Sequence, residues 1–527
     1  MSSLLEFTAG LDWRSWLIIV GVVFVGIPLG GTILNVVSQL YSTGSHLLAP
    51  VWAMVSDPYD FFLECREKYG DVFTFVLLGR KVTVALGPKG NDFVLGGKIS
   101  HLSAEEAYTS VTTPVFGKGV VYDVPNAQLM EQKRFIKFGL TTENFRTYVG
   151  LIVKEVESLL ETHPALERTP QWGEFSAFKL MSELTIYTAS RTLQGEEIRK
   201  AVDGSFADLY HDLDGGFKPI NLFFGSLPLP MNRRRDRAQL KMSNFYVDII
   251  KARRATGHAG SYDMLAALMD QSYKDGRTLG DRELAHIMIA LLMAGQHTSS
   301  ATSSWALLHS ANRPDIWQAV YDEQVAYFGN GDGTFRDLEY EDLRNLPVLD
   351  SLIRETLRVH PPIHSILRHV KADLPVPPTL SSSGPLNASK ASENAGYVVP
   401  KGYLVLASPA VSQADPRIWK EGRKWEPSRW SDPEGVAALA LDMSEQGEKV
   451  DYGFGAVSKG TESPYQPFGA GRHRCIGEQF AYLQLGVIVA TLARAIEMRI
   501  DKVPAHNYRT MITVPMSPDF IQFRRRR

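Results

Sequence analysis

The hydrophobic pattern of this chain changes period along its length, and each period predicts a different element. Near the start there is no alternation: from residue 16 to residue 37 nothing is charged, and Leu, Ile, Val, Phe and Gly dominate. About 22 residues at about 1.5 Å each span about 33 Å, enough for a bilayer core of about 30 Å. Arg14 and Trp16 stand at one end and Tyr41 at the other, where interfacial anchors belong. Gly21, Gly26, Pro28, Gly30 and Gly31 would weaken a helix in water but are tolerated in lipid. The run is too long for a cleavable signal and lacks a basic start. The pattern predicts a tail over 1–15, a single transmembrane helix over 16–40 and a short connector over 41–57.

Beyond the connector, period-two runs rich in β-branched and aromatic residues predict strands at 72–78 and 81–86, broken at Gly79-Arg80. Small strands recur at 397–399 and 404–407. Helical periodicity fills most of the rest, beginning at Pro58–Tyr69 and dominating from 126 to about 358. One long helical stretch runs over 281–311, with Asp281 as its N-cap. Another follows Gly477, with Phe480, Leu483, Val487 and Ala490 on one face. The Ser/Pro/Gly/Asn-rich stretch 377–394 reads as a surface loop, and it contains the formal glycosylation sequon Asn387-Ala388-Ser389. The fold class is mainly α with a small β portion. With no internal repeat and no long linker, 58–527 reads as one large unit rather than the three that length alone would suggest.

Composition changes little in this picture. The 527 residues are 44% hydrophobic with a formal net charge of −2, which offers no footprint for nucleic acid. The terminal run Arg524-Arg525-Arg526-Arg527 reads as a solvated tail. Two cysteines, Cys65 and Cys475, suggest a reducing compartment rather than a disulfide, and are too few for a structural zinc site.

The chemistry concentrates near the C-terminus, in Phe468-Gly-Ala-Gly-Arg-His-Arg-Cys475-Ile-Gly477. Basic neighbours and a following helix both stabilise a thiolate. Gly469, Gly471 and Gly477 allow the backbone to bend close to a flat cofactor. This layout suits a single thiolate beneath a haem iron, a ligand that favours O–O cleavage. Upstream, Glu355-Thr-Leu-Arg358 sets a carboxylate and a guanidinium on one helix face, and Trp425-Glu-Pro-Ser-Arg429-Trp430 adds a second arginine in a proline-fixed turn. A buried Glu355–Arg358–Arg429 cluster would brace the cysteine loop. Midway along 281–311 the apolar run breaks at Ala294-Gly-Gln-His297-Thr298-Ser-Ser300. Those groups either leave a groove for a small ligand and water or bond back to helix carbonyls.

Together these motifs resemble the cytochrome P450 superfamily. Tyr108-Thr-Ser-Val-Thr-Thr-Pro-Val-Phe-Gly, Val121-Tyr122-Asp-Val-Pro, Leu129-Met-Glu-Gln-Lys133, Tyr210-His-Asp-Leu-Asp214-Gly-Gly-Phe217, Ala294-Gly-Gln-His297-Thr298 and His364-Ser-Ile-Leu-Arg368 resemble its sterol 14α-demethylases, the fungal ones above all. The most specific element is His297, where most of the superfamily carries an acid before the threonine. The resemblance runs from about residue 57 to the C-terminus.

The resemblance implies haem b with Cys475 as axial ligand and metal-binding residue, and Tyr108, Tyr122, Lys133, Arg368 and His473 at the haem propionates. It implies a proton relay of Thr298, His297 and Asp214. It further implies a sterol pocket lined by Phe116, Phe217, Ala290, Met293 and Met511. The reaction would be three oxidations of the 14α-methyl group of lanosterol or eburicol, ending in formate, in ergosterol biosynthesis. Electrons would come from NADPH through a membrane-bound cytochrome P450 reductase, with cytochrome b5 as a candidate second donor. The chain itself has no nicotinamide or flavin fingerprint. The anchor would hold a cytosolic catalytic domain on the endoplasmic reticulum membrane. Two segments depart from the family: 41–57 is short and lacks a proline-rich hinge, and 377–394 is long and of low complexity. They keep open a diverged paralogue acting on another terpenoid. A non-catalytic haem protein that binds sterols or azoles is the remaining alternative.

Overall fold

The computed structural model describes residues 46–47, 56–167, 171–202, 204–256, 263–381 and 396–526. The tail and anchor expected over 1–40, most of the 41–57 connector, and residues 382–394 of the expected loop, with its sequon, lie outside the described residues. Among the described residues no helix is long and apolar enough to cross a membrane.

Among the helices of the body are α1 (Pro58–Tyr69), α2 (Glu105–Phe116), α3 (Asn126–Lys137), α4 (Thr142–Thr162), α5 (Ala177–Ala189), α6 (Gly204–Asp214), α7 (Pro230–Thr256), α8 (Asp281–Asn312), α9 (Pro347–Val359) and α10 (Glu478–Ala495). The centre is α8, 32 residues long, packed on by α5, α7 and α10. Its second half is buried on every side, from Ser299 to Leu308. Small hydroxyl residues make that close packing possible. Thr302 donates to Thr298 O at 2.9 Å, and Ser303 and Ser304 donate to Ser299 O and Ser300 O at 2.6 Å each, so these three hydroxyls are satisfied by the helix's own carbonyls. Asp281 is not the cap expected of it. Gly280 takes the N-cap place, Glu283 reaches back to its N–H at 3.4 Å, and Asp281 pairs with Arg254 at 2.9 Å.

The β portion is mainly one sheet of six strands: β1 (His46–Leu47), β2 (Val72–Leu77), β3 (Arg80–Ala85), β4 (Leu102–Ser103), β5 (Ile366–Val370) and β6 (Leu404–Ala407), in the order β1-β2-β3-β6-β5-β4. The β2–β3 turn is Leu78-Gly79 rather than Gly79-Arg80, with φ of +49° and +79°. A two-residue turn with both φ positive matches strand twist, so Leu78 accepts the left-handed region and Arg80 joins the strand. The β5–β6 register sets Arg368 opposite Val405. The stretch expected as loop from 377 begins with a helical turn, Pro378–Ser381.

Candidate functional site

The cysteine loop is held open by its glycines and tied at its neck. Gly469 and Gly471 have φ of +67° and +64°, and a Cβ on Gly471 would stand 2.5 Å from Leu95 O. The loop closes through Cys475 N donating to Phe468 O at 3.0 Å. Cys475 is exposed within it, ahead of α10. Burial by the surrounding protein raises the thiol pKa, against the Gly477 N–H and the charges of Lys133 and Arg474, which lower it. A metal bound at this thiol would favour the thiolate further.

Behind the loop lies the brace. Glu355 and Arg358 are both fully buried and pair bidentately at 2.8 Å on each side. Glu355 also accepts from Arg429 Nε at 3.1 Å, Trp430 Nε1 at 3.0 Å and Glu426 N at 2.8 Å. The link to the cysteine loop runs through two glutamines that sequence reasoning missed. Gln413 O accepts from Arg358 at 2.6 Å, Gln413 Oε1 accepts from Gln466 N at 2.8 Å, and Gln466 O accepts from Gly469 N at 3.0 Å. A lone glutamine, whether in a short helix like Gln413 or in a loop like Gln466, carries no spacing signal that could have found them.

The residues expected at the propionates come together from α2, the single turn Val121–Asp123, α3, β5 and the cysteine loop. Tyr108 on α2 accepts from Leu367 N of β5 at 2.8 Å and stacks on Tyr122 at 5.4 Å. The Tyr122 ring lies 6.0 Å from that of His473. Tyr122 is presented by Val121, whose φ of +54° is unusual for a β-branched residue. Gln132, also unnoticed in the sequence, accepts from Val121 N at 3.2 Å and donates to Gly119 O at 2.8 Å, holding that conformation. Arg368 is buried and donates to Leu367 O at 2.8 Å, without a carboxylate in ion-pair reach among the described residues. Burial and the nearby charges of Arg368, Lys133 and Arg472 push His473 well below its ordinary value. Lys133 faces the cysteine loop, donating to Arg472 O at 3.1 Å and Arg474 O at 3.0 Å, and burial brings its pKa down to about 8. Two of its three protons thus go to backbone, leaving one for a propionate. A buried cluster of cations without acids is costly alone and calls for an anionic partner. The two carboxylates of a haem, above an accessible cysteine, fit this donor set.

On α8, Thr298 donates to Ala294 O at 2.8 Å, the back-bonded arrangement that its sequence also allowed. Ala294 is exposed although it sits midway along the central helix, so a groove opens at this face. His297 Nε2 lies 3.1 Å from Asp214 Oδ1, close but not aligned for a hydrogen bond. Burial lowers the His297 pKa, and the Asp214 charge opposes that shift. Phe217 meets His297 edge-on at 6.4 Å and Phe116 at 5.5 Å. Ala290 and Met511 are half-buried. Met293, expected in the pocket lining, is 1% exposed and belongs to the main core. One residue turns a helix by about 100°, which points Ala294 rather than Met293 into the groove. A separate cavity of about 840 Å³ reaches Cys475, with Phe145, Ile476 and Tyr482 in its wall and Lys137, Arg344 and Lys449 around it. None of the expected sterol-pocket residues lines it, so it is a different opening.

The model of the family described as "Cytochrome P450" matches residues 44–523. The chain is 52% identical to the lanosterol 14-alpha demethylase of Mycosarcoma maydis, over 98% of this chain and 94% of that protein. It is 45% identical to the eburicol 14-alpha-demethylase of Uncinula necator, over 97% and 96%, and 47% identical to the lanosterol 14-alpha demethylase erg11 of Schizosaccharomyces pombe, over 89% and 90%. Among solved structures, retinoic acid-bound cyanobacterial CYP120A1 is similar with a TM-score of 0.70 and 19% identity, covering 90% of this chain and 96% of that one.

Proposed function

The chain belongs to the cytochrome P450 family, among its sterol 14α-demethylases, and on that footing we propose that it removes the 14α-methyl group of lanosterol or eburicol. The observation that carries the reading is the pairing of His297 with Asp214 at 3.1 Å directly beside Thr298, on a groove walled by Phe116 and Phe217. The methyl group is oxidised in three steps, through alcohol and aldehyde, and is released as formate while a Δ14 double bond forms. Each step uses one dioxygen and two electrons from NADPH. A haem here, which Cys475 would ligate and Tyr108, Tyr122, Lys133, Arg368 and His473 would hold through its propionates, would supply the oxygen activation.

The remaining roles belong to the protein's own side chains. The aromatic walls at Phe116 and Phe217, with Ala290 and Met511, exclude water from a flat apolar substrate and orient its methyl group. Thr298 holds a proton on its hydroxyl at the groove. His297, kept neutral by burial, accepts a proton from the Asp214 side and passes it on at neutral pH. The basic surround of the Cys475 cavity, Lys137, Arg344 and Lys449, supports docking of an acidic electron donor such as a cytochrome P450 reductase, with cytochrome b5 as a second candidate. The apolar run over 16–40 supports attachment to the endoplasmic reticulum membrane with the catalytic body cytosolic.

Purified protein, reconstituted with a reductase and NADPH, should release formate and a Δ14 sterol from lanosterol or eburicol. Oxidation of another terpenoid but neither sterol would replace this reading with a diverged paralogue. Sterol binding without any NADPH-dependent oxidation would leave a binding protein instead.

A further inference from the structure

Asp214 occupies an awkward place for half of a relay. It ends α6, where the helix dipole disfavours a carboxylate, and its side chain is 36% exposed. It also lies out of line with His297 despite the 3.1 Å approach. Something else must fix the spacing between α6 and α8.

One turn earlier on α6, Tyr210 is buried and donates its hydroxyl to Gln296 Oε1 at 2.7 Å. Gln296 immediately precedes His297 and is itself buried, its Nε2 donating to Ser182 O of α5 at 3.2 Å. The Tyr210 ring also lies over the His297 imidazole, 5.3 Å between centroids at 36°. A residue four positions before Asp214 thus grips both the neighbour of His297 and the ring itself. Resting on the proposed relay, we infer that Tyr210 and Gln296 form a clasp that positions His297 against Asp214. The clasp sets the register of α6 on α8, so that a small rotation of the imidazole makes or breaks the Asp214 contact. Tyr210 is a positioning residue: its hydroxyl proton is committed to Gln296 and takes no part in transfer.

The test is a double-mutant cycle in the reconstituted full chain, read by turnover, by pH profile, by the sterol-induced spectral shift and by melting temperature. Tyr210→Phe keeps the ring and loses the hydroxyl. It is expected to lower turnover about tenfold, a fraction of a general acid–base contribution, and to shift the pH profile while sterol affinity holds. In an Asp214→Asn background the same change should cost nothing further. Tyr210→Phe leaves Gln296 Oε1 without its donor, so Tyr210→Phe/Gln296→Leu provides the control. Removing both partners should restore the melting temperature yet keep the slow, pH-shifted turnover. Additive losses in the Asp214→Asn background, or recovery of turnover along with melting temperature, would overturn the clasp while leaving the relay intact. If Asp214→Asn alone left rate and pH profile unchanged, the relay would fail and the clasp with it.

Discussion

Replacing Arg358 by lysine keeps the charge and should still damage the protein. Arg358 makes five donations from a fully buried site: to Glu355 Oε2 and Oε1 at 2.8 Å, to Gln413 O and Gly422 O at 2.6 Å, and to Lys424 O at 3.0 Å. A lysine ammonium has three donors on one point, so at least two of these acceptors go unmet and the bidentate grip on Glu355 is lost. Each buried acceptor left unpaired costs about 1–3 kcal/mol, giving about 2–6 kcal/mol in all. That is a large share of a typical ~5–15 kcal/mol total. Spread over the unfolding entropy of a body this large, a loss of this size lowers the melting temperature by roughly 2–6 °C. Because Gln413 and Gln466 carry the brace to the cysteine loop, the yield of thiolate-ligated protein should fall too. Differential scanning fluorimetry measures the first effect, and absorption of the reduced, carbon monoxide-bound form the second. Arg429 gives an internal scale: it donates to Glu355 at 3.1 Å and Glu421 O at 3.0 Å from a partly exposed site, so Arg429→Lys should cost only about 1 kcal/mol. If Arg358→Lys melted at the parent's temperature with an undiminished thiolate signal, the brace would not be holding the loop.

Cys475→Ala should abolish the thiolate-type carbon monoxide band while leaving the fold; persistence of the band would assign the ligand elsewhere. Thr298→Ala removes the hydroxyl that donates to Ala294 O and should slow sterol oxidation by about a hundredfold, with sterol binding and NADPH consumption largely kept. Product formation matching NADPH use in that variant would exclude the threonine from the relay. A third expectation concerns acid. His309 Nε2 and His360 Nε2 lie 2.6 Å apart, and His360 Nδ1 and His506 Nε2 lie 2.7 Å apart, with His360 stacked on Trp305 at 4.0 Å. Burial brings His309 down to about 3 and His506 to about 4, and holds His360 well below 6.5. The unfolded chain then takes up protons first as the pH falls. The stability from the neutral rings is therefore full above about pH 6.5 and is lost between there and about pH 3. Unfolding midpoints from pH 7.5 downward should fall more steeply for the parent than for His506→Phe; equal slopes would show that the triad does not govern acid stability.

Most of the chemistry and much of the architecture could be read from residue order alone. Cys475 among its glycines, Glu355 with Arg358 three positions on, and His297 beside Thr298 are local patterns, and local spacing survives in one dimension. The helices beginning at Pro58 and after Gly477 were likewise legible, because an amphipathic period is a local property. Boundaries were less so: Leu78 takes φ +49° and Gly280 rather than Asp281 caps α8, choices decided by neighbouring strands and helices. Depth belongs to the packed structure too, which buried Met293 and opened Ala294 one residue away. Gln413 and Gln466 carry no mark in the sequence, and Gln132, Tyr210 and Gln296, though they sit in quoted motifs, have no role legible there; all acquire one only from their partners in the fold. An amide or a phenol carries no chemical signature of its own. What it does depends on which buried group it must satisfy, and only folding determines that.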